Sequence, residues 1–326
     1  MISISNTVEI GDLKISQIGL GAWQAGFRSW GKGYSKEDVI SAYRYAFEHG
    51  INFIDTAEIY GNGLSEEIVG EAIRGYDVVI ATKVAGFNIS EYRILKSADM
   101  SRRRLGVDTI DLYQLHWPPS IYTSICRVMK SLEKLIDKGI VRHIGISNFY
   151  GDILEKAVEC MSRYEVVSNQ VQYSLVYRVI ERYGMDFMER EGIALIAYSP
   201  LGKGVLAGKR VADNRARKLD GVFRRASKDD DLLNNLKRLS EKYGVSMASV
   251  ALRWIVEKGG IPIPGVKKKG HVNAVIDALE IRLGREDINL LDNLSMKYRD
   301  YPVSAIVPRL VPGFIVKVLT SLTGGV

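Results

Sequence analysis

The chain has 326 residues, of which 46% are hydrophobic and 25% charged, with a formal net charge of +7. That length is too great for a small sandwich but suits one α/β barrel with a large core. Charges of both signs are spread along the chain, and the basic stretches RVADNRARK, GVFRR and GVKKKG carry neither aromatic interleaving nor a helix-turn-helix pattern. They argue against nucleic acid and suit a compact anionic ligand such as a phosphate.

The first sixteen residues, MISISNTVEIGDLKIS, have no basic segment followed by an apolar one, so no secretory signal is expected and the chain is read as cytoplasmic. ISIS and TVEI, parted by a polar turn, are expected to form a hairpin that plugs a barrel floor. From Lys14 on, short β-branched runs alternate with longer stretches of helical period, the pattern of βα units around a parallel sheet. Eight runs read as strands: KISQIGLG, INFIDT, VVIATK, TIDLYQLH, VRHIGIS, VVSNQ, ALIAYS and IPIPG. Helices are expected over 35–49, 65–74, 90–105, 121–138, 150–163 and 181–191. In the first of them Ser35 is the N-cap, Gly50 closes the end, and Val39, Ala42, Tyr43, Ala46 and Phe47 share one face.

Cys126 and Cys160 lie in helix-like stretches without CxxC or metal spacing and read as reduced packing thiols. After ALIAYS the basic, glycine-containing segment 202–230 interrupts the alternation, followed by DLLNNLKRLSEKYG and SMASVALRWIVEKG, one of them an insertion. A further helix near 286–298 follows the last barrel helix. Residues 301–326 are more apolar than a solvated tail, yet Pro302, Pro308 and Pro312 break them well short of the ~20 apolar residues of a membrane span. This tail is expected to pack on the barrel or on a second copy of the chain. The expected architecture is one domain, residues 1–326, folded as a (β/α)8 barrel.

In such a barrel, reacting groups gather at the carboxyl ends of the strands. Asp55 ends INFID, Lys83 ends VVIATK, His116 ends TIDLYQLH, and Tyr60 lies in the loop after Asp55. Taken singly, these are a helix cap, a solvated strand end, a core histidine and a turn tyrosine. Together they form a proton-donating site: a phenol titrating near pH ~10 is a weak acid at neutrality, an ammonium beside it stabilises the phenolate, and a carboxylate keeps the ammonium in place. An imidazole beside the phenol orients a carbonyl oxygen. This is chemistry for reducing a C=O group.

GLGAWQ, FIDTAEIYGNGLSEEIVGEAI, ATK, RRRLGVDTIDLYQLHWP, KGIVRHIGISNF, SNQVQYS, AYSPLGKGVLAGK and IPIPGVKKKGHV follow one another along nearly the whole chain. In that order they resemble the aldo-keto reductase family. The resemblance implies a (β/α)8 barrel with an N-terminal hairpin and two extra helices, and metal-free, NAD(P)H-dependent carbonyl reduction. It casts Tyr60 as general acid, Lys83 as the group that lowers its pKa, Asp55 as the partner of the lysine, and His116 as the orienting donor. Ser147, Asn148 and Gln170 resemble the trio that holds the nicotinamide carboxamide, and Tyr198 the aromatic stacked on its ring. Gly21 and Ala22, with Ser199, Leu201 and Lys203, are placed along the cofactor, the last three over its pyrophosphate. Lys267, Lys268 and His271 follow the last strand as further cofactor contacts; the three lysines from Lys267 favour NADPH, with NADH also possible, although His271 stands where Arg is common in the family, and Ala274 and Val275 where it has a Glu-Asn pair. Trp23, Phe87 and Trp117 are expected to wall an apolar substrate pocket. Two rival readings use the same barrel: a cofactor-sensing binding subunit with little turnover, and an enzyme of unrelated chemistry acting on phosphorylated sugars.

Overall fold

The computed structural model describes residues 7–26, 34–211, 218 and 220–300. Its first strands, β1 (Thr7–Ile10) and β2 (Leu13–Ser16), pair antiparallel, with Ile10 opposite Leu13 and only Gly11 and Asp12 between them. Gly11 adopts φ 60°, which glycine reaches without a Cβ clash, and a two-residue turn led by glycine matches the twist of the flanking strands. TVEI therefore pairs with the LKIS that follows it; ISIS, its expected partner, lies outside the described residues. The same turn takes Leu13–Ser16 out of the barrel and shortens the first barrel strand, expected from Lys14, to β3 (Leu20–Gly21).

The remaining strands are β4 (Phe53–Asp55), β5 (Val79–Val84), β6 (Ile110–Leu115), β7 (Val141–Ser147), β8 (Val166–Gln172), β9 (Ala194–Tyr198) and β10 (Gly260–Pro262). From β3 to β10 each strand pairs in parallel with the next in sequence. The backbone N–H groups of Gly19 and Gly21 donate to the carbonyls of Pro262 and Pro264, each at 3.0 Å, and bring the two ends of the sheet together. A Cβ at Gly21 would meet the Ile263 carbonyl oxygen at 2.7 Å, so this seam needs glycine. The strands thus form the expected (β/α)8 barrel.

Around it lie α1 (Lys36–Glu48), α2 (Leu64–Ala72), α3 (Glu91–Leu105), α4 (Ile125–Asp137) and α5 (Asp152–Glu159). At α1 the Ser35 side chain accepts from the Asp38 N–H and the Asp38 carboxylate accepts from the Ser35 N–H, a reciprocal cap of a kind worth about 1 kcal/mol. The helix expected over 181–191 is two short ones, α6 (Ile180–Tyr183) and α7 (Met185–Arg190), because Gly184 leaves helical geometry between them. Between β9 and β10 come α8 (Gly221–Ala226), α9 (Asp230–Tyr243) and α10 (Met247–Glu257), and after β10 come α11 (Lys269–Glu280) and α12 (Arg285–Ser295). The two helices outside the βα alternation, α9 and α12, pack on each other. Asp287 joins them by accepting from Lys242 Nζ at 2.6 Å and Tyr243 OH at 2.5 Å.

Cys126 and Cys160, expected as thiols, form a disulfide with their Cα atoms 4.7 Å apart. Neighbouring helices α4 and α5 bring them together, a proximity that a separation of 34 residues does not disclose. Apolar side chains fill two regions, the layer between helices and strands and the lower part of the lumen. In the lumen the hairpin residues Ile10, Leu13 and Ile15 pack against Phe53, Leu112 and Ile261, which makes the hairpin the floor plug that was expected.

Candidate active site

Side chains alternate along a strand, so one face of each strand lines the lumen. In that register Asp55 ends β4, Lys83 pairs with Gln114 across β5 and β6, and His116 directly follows β6. Tyr60 opens a 3-10 turn after β4. Lys83 is fully buried, and its Nζ donates to Asp55 Oδ2 at 2.5 Å, to the Thr56 carbonyl at 2.8 Å and to Tyr60 OH at 3.4 Å. The Tyr60 and His116 rings meet edge to face with centroids 5.6 Å apart. All four anticipated residues therefore converge on the carboxyl-end rim.

Below them, the other Asp55 oxygen, Oδ1, accepts from Gln170 Nε2 at 2.8 Å and Gln114 Nε2 at 3.0 Å. Burial draws the Lys83 ammonium below its ordinary pKa, while the Asp55 charge opposes that pull. Burial, reinforced by the Asp55 charge, pushes the Tyr60 phenol well above its ordinary value of 10.0. Tyr60 consequently keeps its proton throughout the neutral range. The Lys83 ammonium that would stabilise the phenolate is in place, 3.4 Å from the phenol oxygen. Burial and the Lys83 charge hold His116 well below 6.5, so its imidazole is neutral, and its buried Nδ1 has no hydrogen-bond partner in the structure.

Among the described residues, the non-glycine positions at positive φ are Asn62, Asn148, Ser199 and Lys203. All four lie beyond the carboxyl ends of β4, β7 or β9, so the strained backbone is gathered on the rim that carries Tyr60. Asn148 donates to the His116 carbonyl at 3.0 Å and to Ser147 Oγ at 3.1 Å, and its own Oδ1 accepts from Tyr198 OH at 2.9 Å. Ser147, Asn148, Gln170 and Tyr198 are thus brought together. Ala22 is tied to β4 through its N–H, which donates to the Asp55 carbonyl at 2.8 Å.

Farther along, Lys203 is ion-paired with Asp220, and Leu201 packs against the core. Lys267 lies over the Tyr34 ring at 4.4 Å, and Lys268 is exposed at the N-terminus of α11. His271 accepts from the Lys267 N–H at 3.3 Å and is held below its ordinary pKa by partial burial and by Lys267, Lys209 and Lys268. It adds a neutral ring, not a third charge, at neutral pH. Val275 is buried in the core and Ala274 half-buried.

Above Tyr60 the aromatic residues form a continuous run. Ring centroids are 6.5 Å apart for Trp23 and Tyr60, 4.9 Å for His116 and Trp117, and 5.8 Å for Phe87 and Trp117. A Cβ on Gly86 would meet the Trp117 ring at 2.5 Å, so the indole packs closely against that glycine. Two further residues of the site escaped the sequence reading. Glu58 Oε1 accepts from the Ala85 N–H at 2.8 Å and from Asn88 Nδ2 at 2.9 Å, which ties the Phe87 loop to the loop bearing Tyr60. Gln114 stands two residues before His116, and strand alternation alone puts it on the same face. Trp30 lies outside the described residues. Among those residues, no group of three or more His, Cys, Asp or Glu is placed to hold a metal ion, and no helix is long and apolar enough to cross a membrane.

Comparison with known proteins identifies the family. The model of the aldo/keto reductase family matches residues 17–296. An uncharacterized oxidoreductase of Mycobacterium tuberculosis is 34% identical over 304 residues, covering 89% of this chain and 92% of the relative. The structure of a glycerol dehydrogenase from Gluconobacter oxydans superposes with a TM-score of 0.80 at 30% identity, covering 92% of this chain and 98% of that one. An aldo-keto reductase from Klebsiella pneumoniae in complex with NADPH gives a TM-score of 0.76 at 27% identity, with the same coverage of 92% and 98%.

Proposed function

The chain belongs to the aldo/keto reductase family and is an oxidoreductase; from that premise we propose that it uses NADPH to reduce aldehydes and ketones to alcohols, with Tyr60 as general acid. The observation that carries this reading is Lys83 Nζ held between Asp55 Oδ2 at 2.5 Å and Tyr60 OH at 3.4 Å beneath an aromatic cup. When bound, the cofactor supplies the hydride. As negative charge builds on the carbonyl oxygen of the substrate, the Tyr60 proton would move to that oxygen. The phenolate left behind faces the Lys83 ammonium, which Asp55 keeps in place. Neutral His116 donates a hydrogen bond that aims the carbonyl oxygen at Tyr60.

The residues fit a nicotinamide. Gln170 Nε2 is engaged by Asp55 and by Gln114 Oε1 at 3.1 Å, which leaves the Gln170 side-chain oxygen, Oε1, for a carboxamide N–H. Ser147 and Asn148 would complete that contact, and Tyr198 would stack on the ring. Gly21, Ala22, Ser199 and Leu201 would approach the rest of the cofactor through backbone. Because Lys203 is paired with Asp220, the charge for a 2′-phosphate falls mainly to Lys267 and Lys268 at the start of α11. The same reading takes the chain as one cytoplasmic barrel domain acting on a small carbonyl compound, with Trp23, Phe87 and Trp117 favouring an apolar or aromatic group.

Following NADPH and NADH absorbance with aromatic, aliphatic and sugar aldehydes tests it. NADPH oxidation, fastest with the aromatic aldehydes, is the expected result. Quenching of tryptophan fluorescence by NADPH without turnover on any aldehyde would favour the cofactor-sensing reading, and the absence of both would overturn the proposal.

A further inference from the structure

We propose that Gln114 is a positioning residue that keeps the Asp55–Lys83 pair ionised and thereby sets the acidity of Tyr60; this rests on the reading of Tyr60 as the acid. Gln114 is fully buried and lies directly opposite Lys83 in the β5–β6 register. Its Nε2 donates to Asp55 Oδ1 at 3.0 Å, and its Oε1 accepts from Gln170 Nε2 at 3.1 Å. The neighbouring strand makes room for it with a glycine: a Cβ at Gly145 would fall 3.0 Å from Gln114 Cγ and 2.5 Å from Ser168 Oγ.

A buried carboxylate and ammonium in contact can exist as an ion pair or, after one proton crosses, as a neutral acid and amine. Burial favours the neutral form, and hydrogen-bond donors aimed at the carboxylate favour the charged one. Lys83 occupies Oδ2, so the balance is set by the donors on Oδ1, and those are two amides. Gln170 also faces the proposed nicotinamide position. Among the described residues, the Gln114 side chain has its hydrogen bonds with Asp55 and Gln170 and serves the ion pair.

The titratable groups around the pair are Tyr60 in the β4 loop, His116 after β6, Tyr198 at the end of β9 and Glu66 on α2. Glu66 is already bound by Arg104 Nε and Thr82 Oγ1, each at 2.6 Å, so it does not replace the amide donor. Without Gln114 the proton shifts toward Asp55, Lys83 becomes a neutral amine, and the phenol loses the cation that stabilises its conjugate base.

The test compares Gln114→Met and Gln114→Glu with the wild-type chain and with Tyr60→Phe, using NADPH and 4-nitrobenzaldehyde over a range of pH. In Gln114→Met, kcat is expected to fall about tenfold at neutral pH, since a weaker acid donates more slowly. The aldehyde KM and the NADPH Kd should change less than about twofold, because uniform binding is untouched. Gln114→Glu can donate only while its own carboxyl is protonated, so its kcat should exceed that of the Met variant at acidic pH and decline toward it as pH rises. An unchanged kcat in Gln114→Met would overturn the inference. So would a pH-independent loss shared by both variants, or loss of NADPH binding in both, which marks a merely structural role. If Tyr60→Phe is inactive while Gln114→Met behaves as wild type, this inference alone fails; if Tyr60→Phe turns over normally, the assignment of the acid fails first.

Discussion

On β4, β5 and β6 the residues facing the lower lumen are Phe53, Ala81 and Leu112, and two positions further along the same strands stand Asp55, Lys83 and Gln114. One inward step, about 7 Å, separates a dry plug from a layer of charge and amide. The lower half works for stability. Its apolar side chains are closed off by the hairpin and leave few polar groups to satisfy. The upper half works against it, with a buried ion pair, four strained non-glycine residues and the unpartnered His116 Nδ1. Rigidity in the floor lets the rim hold an arrangement that it would not maintain by itself.

Breaking the ion pair should have the largest effect. Lys83→Met leaves the Asp55 carboxylate buried without its cation, so denaturant unfolding should show a loss of about 3–5 kcal/mol, accompanied by near-complete loss of turnover. Leu112→Ala, two residues from Gln114 but in the dry half, should cost about 2–5 kcal/mol in the same assay while kcat stays within about twofold. A large fall in kcat at temperatures where that variant remains folded would mean that the two halves are not separable.

A smaller effect is expected from pH. The pKa of His116 is depressed in the fold, so below about 6.5 the unfolded chain takes up a proton that folded His116 refuses. Its contribution to stability is complete above that pH and is lost as pH falls. Unfolding followed at about pH 5 and pH 7 should show a smaller acid-side loss in His116→Asn than in the wild-type chain. The smallest effect should come from Glu58→Ala, which frees the Phe87 loop and should raise KM for an aromatic aldehyde up to about tenfold more than for a short aliphatic one. Equal changes for both aldehydes would show that Glu58 does not shape the pocket.

Asp55, Lys83 and His116 were legible because each is a chemically loud residue at the end of a β-branched run, and a parallel barrel gathers such ends on one rim. Gln114 obeys the same alternation but carries no titratable group, so nothing marked it until its amide was seen on Asp55. LKIS reads as barrel strand because it is as strand-like as its neighbours, and only the Gly11-Asp12 turn assigns it to the hairpin. The disulfide depends on which helices are neighbours, a tertiary fact. The burial that raises the Tyr60 phenol is hidden for a related reason: a sequence shows which charges are near a phenol but not how little water reaches it.

The central claim is that Tyr60, protonated and buried above the ion pair, delivers the proton. Single-turnover NADPH oxidation by Tyr60→Phe, with NADPH affinity measured in parallel, tests it most directly. The account predicts affinity within about twofold of the wild-type chain and a rate lower by about 10²–10⁴. Full-rate turnover by Tyr60→Phe with NADPH bound would contradict it.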